Sequence, residues 1–102
     1  MNGDAAKAVE QMESGRDAAW IERATQAVRD IAKMRGSGAR MSSDAVWALL
    51  ERRGVQPPNE PRAMAVALSR MQAYGVIRTT DQTVPSVRKQ NHSRPVRIWL
   101  VC

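Results

Sequence analysis

Gly75-Val76-Ile77-Arg78-Thr79-Thr80-Asp81-Gln82-Thr83-Val84-Pro85 is the stretch where the chain changes its period. Upstream, apolar residues recur every three to four positions, the spacing of one buried helical face. From Val76 to Thr80 the residues are mostly β-branched, which suits a pleated, half-buried surface. Asp81-Gln82 has turn character, and Thr83-Val84 reads as a second extended piece that Pro85 breaks. Lys89-Gln90-Asn91-His92-Ser93 is a polar loop. Val96, Ile98 and Leu100 then alternate with Arg97, Trp99 and Val101 in a closing strand.

Working back from Gly75, a third helix is expected over Asn59–Tyr74, with Pro61 tolerated in its first turn and Gly75 ending it. Met64, Ala67, Leu68 and Met71 project to one side. Arg62, Val66, Ser69 and Ala73 project to the other, flanked by Ala65 and Arg70. Val55-Gln56-Pro57-Pro58-Asn59 is not helical, because paired prolines remove donors and restrict the residues before them. A short second helix is expected over Asp44–Arg53, opened by a Ser42-Ser43-Asp44 cap and stopped at Gly54 by a left-handed residue. Ala39-Arg40-Met41 is an extended connector or brief strand. The first helix is expected over Asp17–Arg35, with Trp20, Ile21, Ala24, Ala27, Val28, Ile31 and Met34 on its buried face, and Gly36-Ser37-Gly38 ends it. Ser14 and Asp17 resemble a cap with an early acid. Residues 1–16 read as a flexible or partly helical lead-in and residues 17–102 as one domain. The expected class is α+β: three helices and a C-terminal β-hairpin, in the order of a winged helix-turn-helix.

With 102 residues and 43% hydrophobic residues, the chain suits one modest core and is too apolar for a disordered tail. Trp20, Trp47, Trp99 and Tyr74 are expected to supply large buried surfaces. No apolar run reaches the roughly 20 residues that a membrane span requires. Met1-Asn2-Gly3-Asp4 lacks a basic leader with an apolar stretch, so a cytoplasmic protein is expected. Cys102 is the only cysteine and offers neither a staple nor a metal site.

The net charge of +6 is unevenly placed. Through Arg35, six basic and six acidic residues cancel. From Gly36 onward ten basic residues face only Asp44, Glu51, Glu60 and Asp81, and no acid follows Asp81. One-sided charge of this kind attracts polyanions, although a basic surface also serves solubility alone.

These features point to duplex DNA. The third helix is the candidate reading helix, with Val66 placed for a thymine methyl, Ser69 beside it, and Arg62 and Arg70 for guanine edges or phosphates. The rival reading is that this face, low in polarity, packs on a protein partner or a second copy. The wing loop Arg88-Lys89-Gln90-Asn91-His92-Ser93-Arg94 holds three cations without a nearby acid, so Arg88, Lys89, Asn91, His92 and Arg94 are candidate backbone contacts. The bland alternative is a solvated turn. His92 has no acid or cysteine beside it to make a triad or a metal site. Trp47 and Trp99 read as core first and as base-stacking platforms second. No phosphate cradle, carboxylate pair or nucleophile motif is present, so neither catalysis nor a cofactor is expected.

From about Trp20 to Leu100 the chain resembles small winged-helix proteins encoded by bacteriophages and prophages. The resemblance is carried by Trp20 together with three stretches: Ser43-Asp44-Ala45-Val46-Trp47-Ala48-Leu49-Leu50, Asn59-Glu60-Pro61-Arg62-Ala63-Met64, and His92-Ser93-Arg94-Pro95-Val96-Arg97-Ile98-Trp99. It implies a winged-helix fold and a non-catalytic role in phage gene regulation, replication or recombination, with a host or phage protein as the alternative partner.

Overall fold

The computed structural model describes residues 17–102, so the expected lead-in over 1–16 and its Ser14 cap lie outside the described residues. The order is α1 (Ala18–Arg35), β1 (Arg40–Met41), α2 (Ser43–Arg52), α3 (Ala63–Ala73), β2 (Ile77–Pro85), a short 3-10 turn (Lys89–Asn91) and β3 (Pro95–Val101). Three helices and a three-stranded antiparallel sheet of order β1-β3-β2 make this an α+β domain.

α1 forms where the apolar spacing demands it and buries Trp20, Ile21, Ala24, Thr25, Ala27, Val28 and Ile31. Ala24 and Ala27 meet a helix that itself offers Ala63 and Ala67, and all four have no exposed surface. Four methyl-sized side chains let the two backbones approach closely, and α1 with α3 is the most extensive helix pair. Trp20 then packs on Trp47 of α2, with ring centroids 5.3 Å apart and planes tilted by 41°. Met34 and Tyr74 depart from expectation: they are 70% and 69% exposed. Met34 belongs to the last turn of α1, beyond the reach of the core. Tyr74 lies just past α3 with the Arg29 guanidinium 5.8 Å from its ring centre.

α2 begins one residue earlier than expected and ends one earlier. Ser42 occupies the capping position with an extended backbone, yet its side chain makes no capping hydrogen bond. Gly54 follows in the left-handed region, φ 73°, as its place after the helix requires. α3 starts at Ala63 rather than Asn59. Residues 59–62 form tight turns instead, with the Ala63 N–H donating to the Glu60 carbonyl at 2.9 Å. The cause lies 42 residues away. The buried Asp17 carboxylate accepts from the backbone N–H of Asn59 at 2.9 Å and of Glu60 at 3.0 Å, fixing the approach to α3 before the helix begins.

β3 is the central strand. Met41 faces Trp99, and Ile77 faces Val101, so Met41, Ile77 and Val101 join the helical core with Trp99 packed against it. β2 runs straight through the expected turn at Asp81-Gln82. Between the pairs Thr79↔Trp99 and Thr83↔Arg97, β2 advances four residues while β3 advances two, which makes a bulge instead of a reversal. Thr80 closes it: its hydroxyl donates to the Ile98 carbonyl at 2.6 Å and accepts from the Gln82 N–H at 3.1 Å. The true reversal is the loop of residues 86–94.

Candidate nucleic-acid interface

The reversal loop has an inner and an outer side, and the inner side is held by α2. Asp44 and Ser86 are both buried, 42 residues apart. The Ser86 hydroxyl donates to the Asp44 carboxylate at 2.9 and 3.0 Å, and the Val87 N–H donates to Asp44 Oδ2 at 2.8 Å. Ser86 Oγ accepts from the Arg88 N–H at 3.2 Å and from Asn91 Nδ2 at 3.0 Å. One hydroxyl therefore uses its single donor and both acceptor sites, so Ser86 has no hydrogen-bonding capacity to spare. The loop closes through Ser86 N–H to the Arg94 carbonyl and Arg94 N–H to the Asn91 carbonyl, at 2.9 and 2.8 Å. His92 and Ser93 turn the chain with φ of 48° and 62°, a left-handed pair that brings Arg94 back toward Ser86.

Arg88 also belongs to the inner side. Its guanidinium carbon stands 4.2 Å from the centre of the Trp47 ring, and Nη2 lies 3.9 Å from Glu51. The side chain is 18% exposed, and Nη1 is buried without a hydrogen-bond partner among the described residues. Trp20, Trp47, Leu50 and Glu51 share with it a cavity of about 100 Å³. An arginine stacked on an indole in this way fastens the loop to α2, and its guanidinium faces the protein. The expected role of Arg88 as an outward backbone contact gives way to an anchoring one. Asn91, half-buried and bonded to Ser86, is an anchor as well. Lys89, His92 and Arg94 are left on the outer, exposed side.

On the helix, Ser69 is exposed and lies with Ala65 and Ala73 on the open face of α3. Val66 is half-buried and packs against the core, so the thymine-methyl contact expected of it loses reach. Arg70 is half-buried. Arg62 sits in the turn before α3, where its Nε donates to Glu60 Oε1 at 3.2 Å and Nη2 to Oε2 at 3.4 Å. That pairing holds the Glu60 carboxyl below the usual carboxylate range. The Arg62 side chain remains 68% exposed, so an incoming phosphate competes with Glu60 for it across solvent.

Sequence reasoning placed Asp17 and Asp44 only as acids at helix starts and missed Ser86, because each acts on a partner more than 40 residues away. It also missed the junction of α3 with the hairpin, where the Thr79 N–H donates to Gln72 Oε1 at 3.1 Å and Arg97 Nη1 donates to Thr79 Oγ1 at 2.9 Å. The alternation of Arg97 with Trp99 was the available signal for that cluster. Among the described residues no group of three or more His, Cys, Asp or Glu is arranged to hold a metal ion, and no helix is long and apolar enough to cross a membrane. No protein-family model, curated protein or solved structure matches the chain.

Proposed function

We propose that the chain is a non-catalytic duplex DNA-binding protein of winged-helix type, with α3 entering the major groove and the loop between β2 and β3 acting as the wing. The observation that carries this reading is the two-sided loop: the buried Asp44 and the half-buried Trp47 of α2 hold its inner side, while Lys89, His92 and Arg94 stay exposed on the other. A cationic loop held in one conformation loses little entropy on meeting a phosphate backbone. Beside it α3 offers Ala65, Ser69 and Ala73, short side chains that permit a close approach to base edges. The β1-β3-β2 order, with β1 between the first two helices, agrees with the winged-helix arrangement. The proposed setting is that of the phage and prophage proteins it resembles, in the bacterial cytoplasm, as a regulator or an accessory replication or recombination factor.

Anisotropy titration of a labelled random duplex tests the reading, with the Lys89→Ala/Arg94→Ala variant beside the native protein. The native chain is expected to bind in the micromolar range and the variant to weaken by about tenfold, two phosphate contacts being lost. Equal binding by both would remove the wing from the interface. One observation favours a second reading, a module that binds a host or phage protein. Ala65 in the first turn of α3, with Ala73 and the 69%-exposed Tyr74 at its end, gives the helix exposed apolar side chains. Loss of a partner upon Ala73→Glu, with duplex binding absent from the native chain, would establish it.

A further inference from the structure

We propose that Gln72, Thr79 and Arg97 form a subsite for one backbone phosphate of duplex DNA, where α3, β2 and β3 meet; this rests on the duplex-binding reading above. The three residues come from three elements and are joined by hydrogen bonds. The Thr79 N–H donates to Gln72 Oε1 at 3.1 Å, Arg97 Nη1 donates to Thr79 Oγ1 at 2.9 Å, and Thr79 Oγ1 donates to the Thr80 carbonyl at 3.4 Å. All three residues are exposed.

The bonds decide what the cluster offers outward. A backbone N–H can only donate, so the amide oxygen of Gln72 is the atom that must face Thr79. The amide NH2 is thereby turned away, with no partner among the described residues. Arg97 spends Nη1 on the Thr79 hydroxyl and keeps Nε and Nη2 free of hydrogen bonds, with no carboxylate within 4.0 Å among the described residues. The Thr79 hydroxyl is occupied as donor and as acceptor. What remains is a cation and an amide NH2, donors only, each secured to Thr79. Their complement is an anion rich in acceptor oxygens, and a guanidinium fork matches phosphate geometry. The cluster stands at the last turn of α3, where Gln72 follows Ala65 by seven residues on the exposed side of the helix, and on the strands that follow. With α3 in the groove, a helix end tied to the sheet in this way meets the sugar–phosphate rim and fixes register.

Full-length variants separate this contact from a packing role. Gln72→Glu keeps an oxygen facing the Thr79 N–H and replaces the outward NH2 with a carboxylate oxygen. Arg97→Ala removes the cation. Affinity and its salt dependence would be measured on several unrelated duplexes of one length, with thermal unfolding as the check on folding. Gln72→Glu is expected to keep its Tm and lose roughly tenfold in affinity, the scale of one charge-assisted contact. Arg97→Ala is expected to lower the magnitude of the salt slope by about 0.9 on every duplex. Native protein that binds steeply with salt while both variants bind like it would overturn the subsite and leave the duplex-binding reading intact. A loss confined to one sequence would also overturn it, by assigning the cluster to a base edge. Failure of the native protein to bind any duplex would instead sink the underlying reading, and the subsite with it.

Discussion

Replacing Asp44 by asparagine tests whether the wing is held from α2. The two side chains have nearly the same shape, so packing is conserved and only the hydrogen-bonding inventory changes. Asp44 accepts from the Ser86 hydroxyl and from the Val87 N–H. Asparagine keeps one carbonyl oxygen and presents NH2 in place of the other. That NH2 would face either the Val87 N–H, which only donates, or Ser86 Oγ, whose two acceptor sites are already taken by Arg88 N–H and Asn91 Nδ2. Both Asp44 and Ser86 are more than nine-tenths buried, so water offers little relief. Losing one charge-assisted bond and stranding a donor costs about 1.5–3 kcal/mol. For a domain of this size that is a fall in Tm of roughly 6–24 °C, at about 4–8 °C per kcal/mol. Urea unfolding of the native protein, Asp44→Asn, Ser86→Ala and the double variant gives the coupling directly, and a value of about 1–2 kcal/mol is expected for residues sharing one network. An Asp44→Asn variant within about 0.5 kcal/mol of native, a shift typical of ordinary surface positions, would refute the reasoning.

Three further outcomes are expected. Arg88→Ala, which removes the guanidinium from the Trp47 face, should cost about 1–2 kcal/mol and shift tryptophan emission to the red, whereas Lys89→Ala should do neither; equal effects in urea melts would place Arg88 in solvent. Asp17→Asn should destabilise by about 1–2 kcal/mol, because one of the Asn59 and Glu60 N–H groups then meets an NH2, and calorimetry showing no change would contradict the long-range cap. Asp30, bonded to Arg53 at 2.8 Å and to Gln26, and Glu60, bonded to Arg62, both titrate below the usual carboxylate range in the folded protein. The stability they add is present above their unfolded pKa values and is lost as pH falls through the lower folded ones. A small decline below about pH 4 should therefore flatten in Asp30→Asn/Glu60→Gln, and an unchanged acid limb would exclude these pairs as its source.

The three helices and the closing strand were legible because each repeats a simple period, and Gly36, Gly54 and Gly75 follow the helices where expected, Gly54 with the positive φ its place called for. What escaped had long-range causes. Asn59-Glu60-Pro61 has the composition of a helix start, but Asp17 claims its N–H groups and delays α3 to Ala63. Asp81-Gln82 has the composition of a turn, but Thr80 bonds across to Ile98 and carries β2 onward as a bulge. At the candidate site, composition located the cationic loop and left its sides unresolved. Arg88 and Arg94 are chemically identical, and only the position of Trp47 turns one inward. The Gln72–Thr79–Arg97 junction depends on how the helix meets the sheet edge, which no local pattern encodes.

The most direct test of duplex binding is the salt dependence of the native chain's affinity for random duplex DNA, from about 50 to 200 mM, the range over which phosphate contacts separate from other forces. Lys89, Arg94, Arg62 and Arg97 engaging four phosphates predict a log–log slope near −3.6, at about 0.9 per contact. A slope near zero, or no binding at about 50 mM salt, would contradict the account, because a basic loop held outward would then have no polyanion to meet.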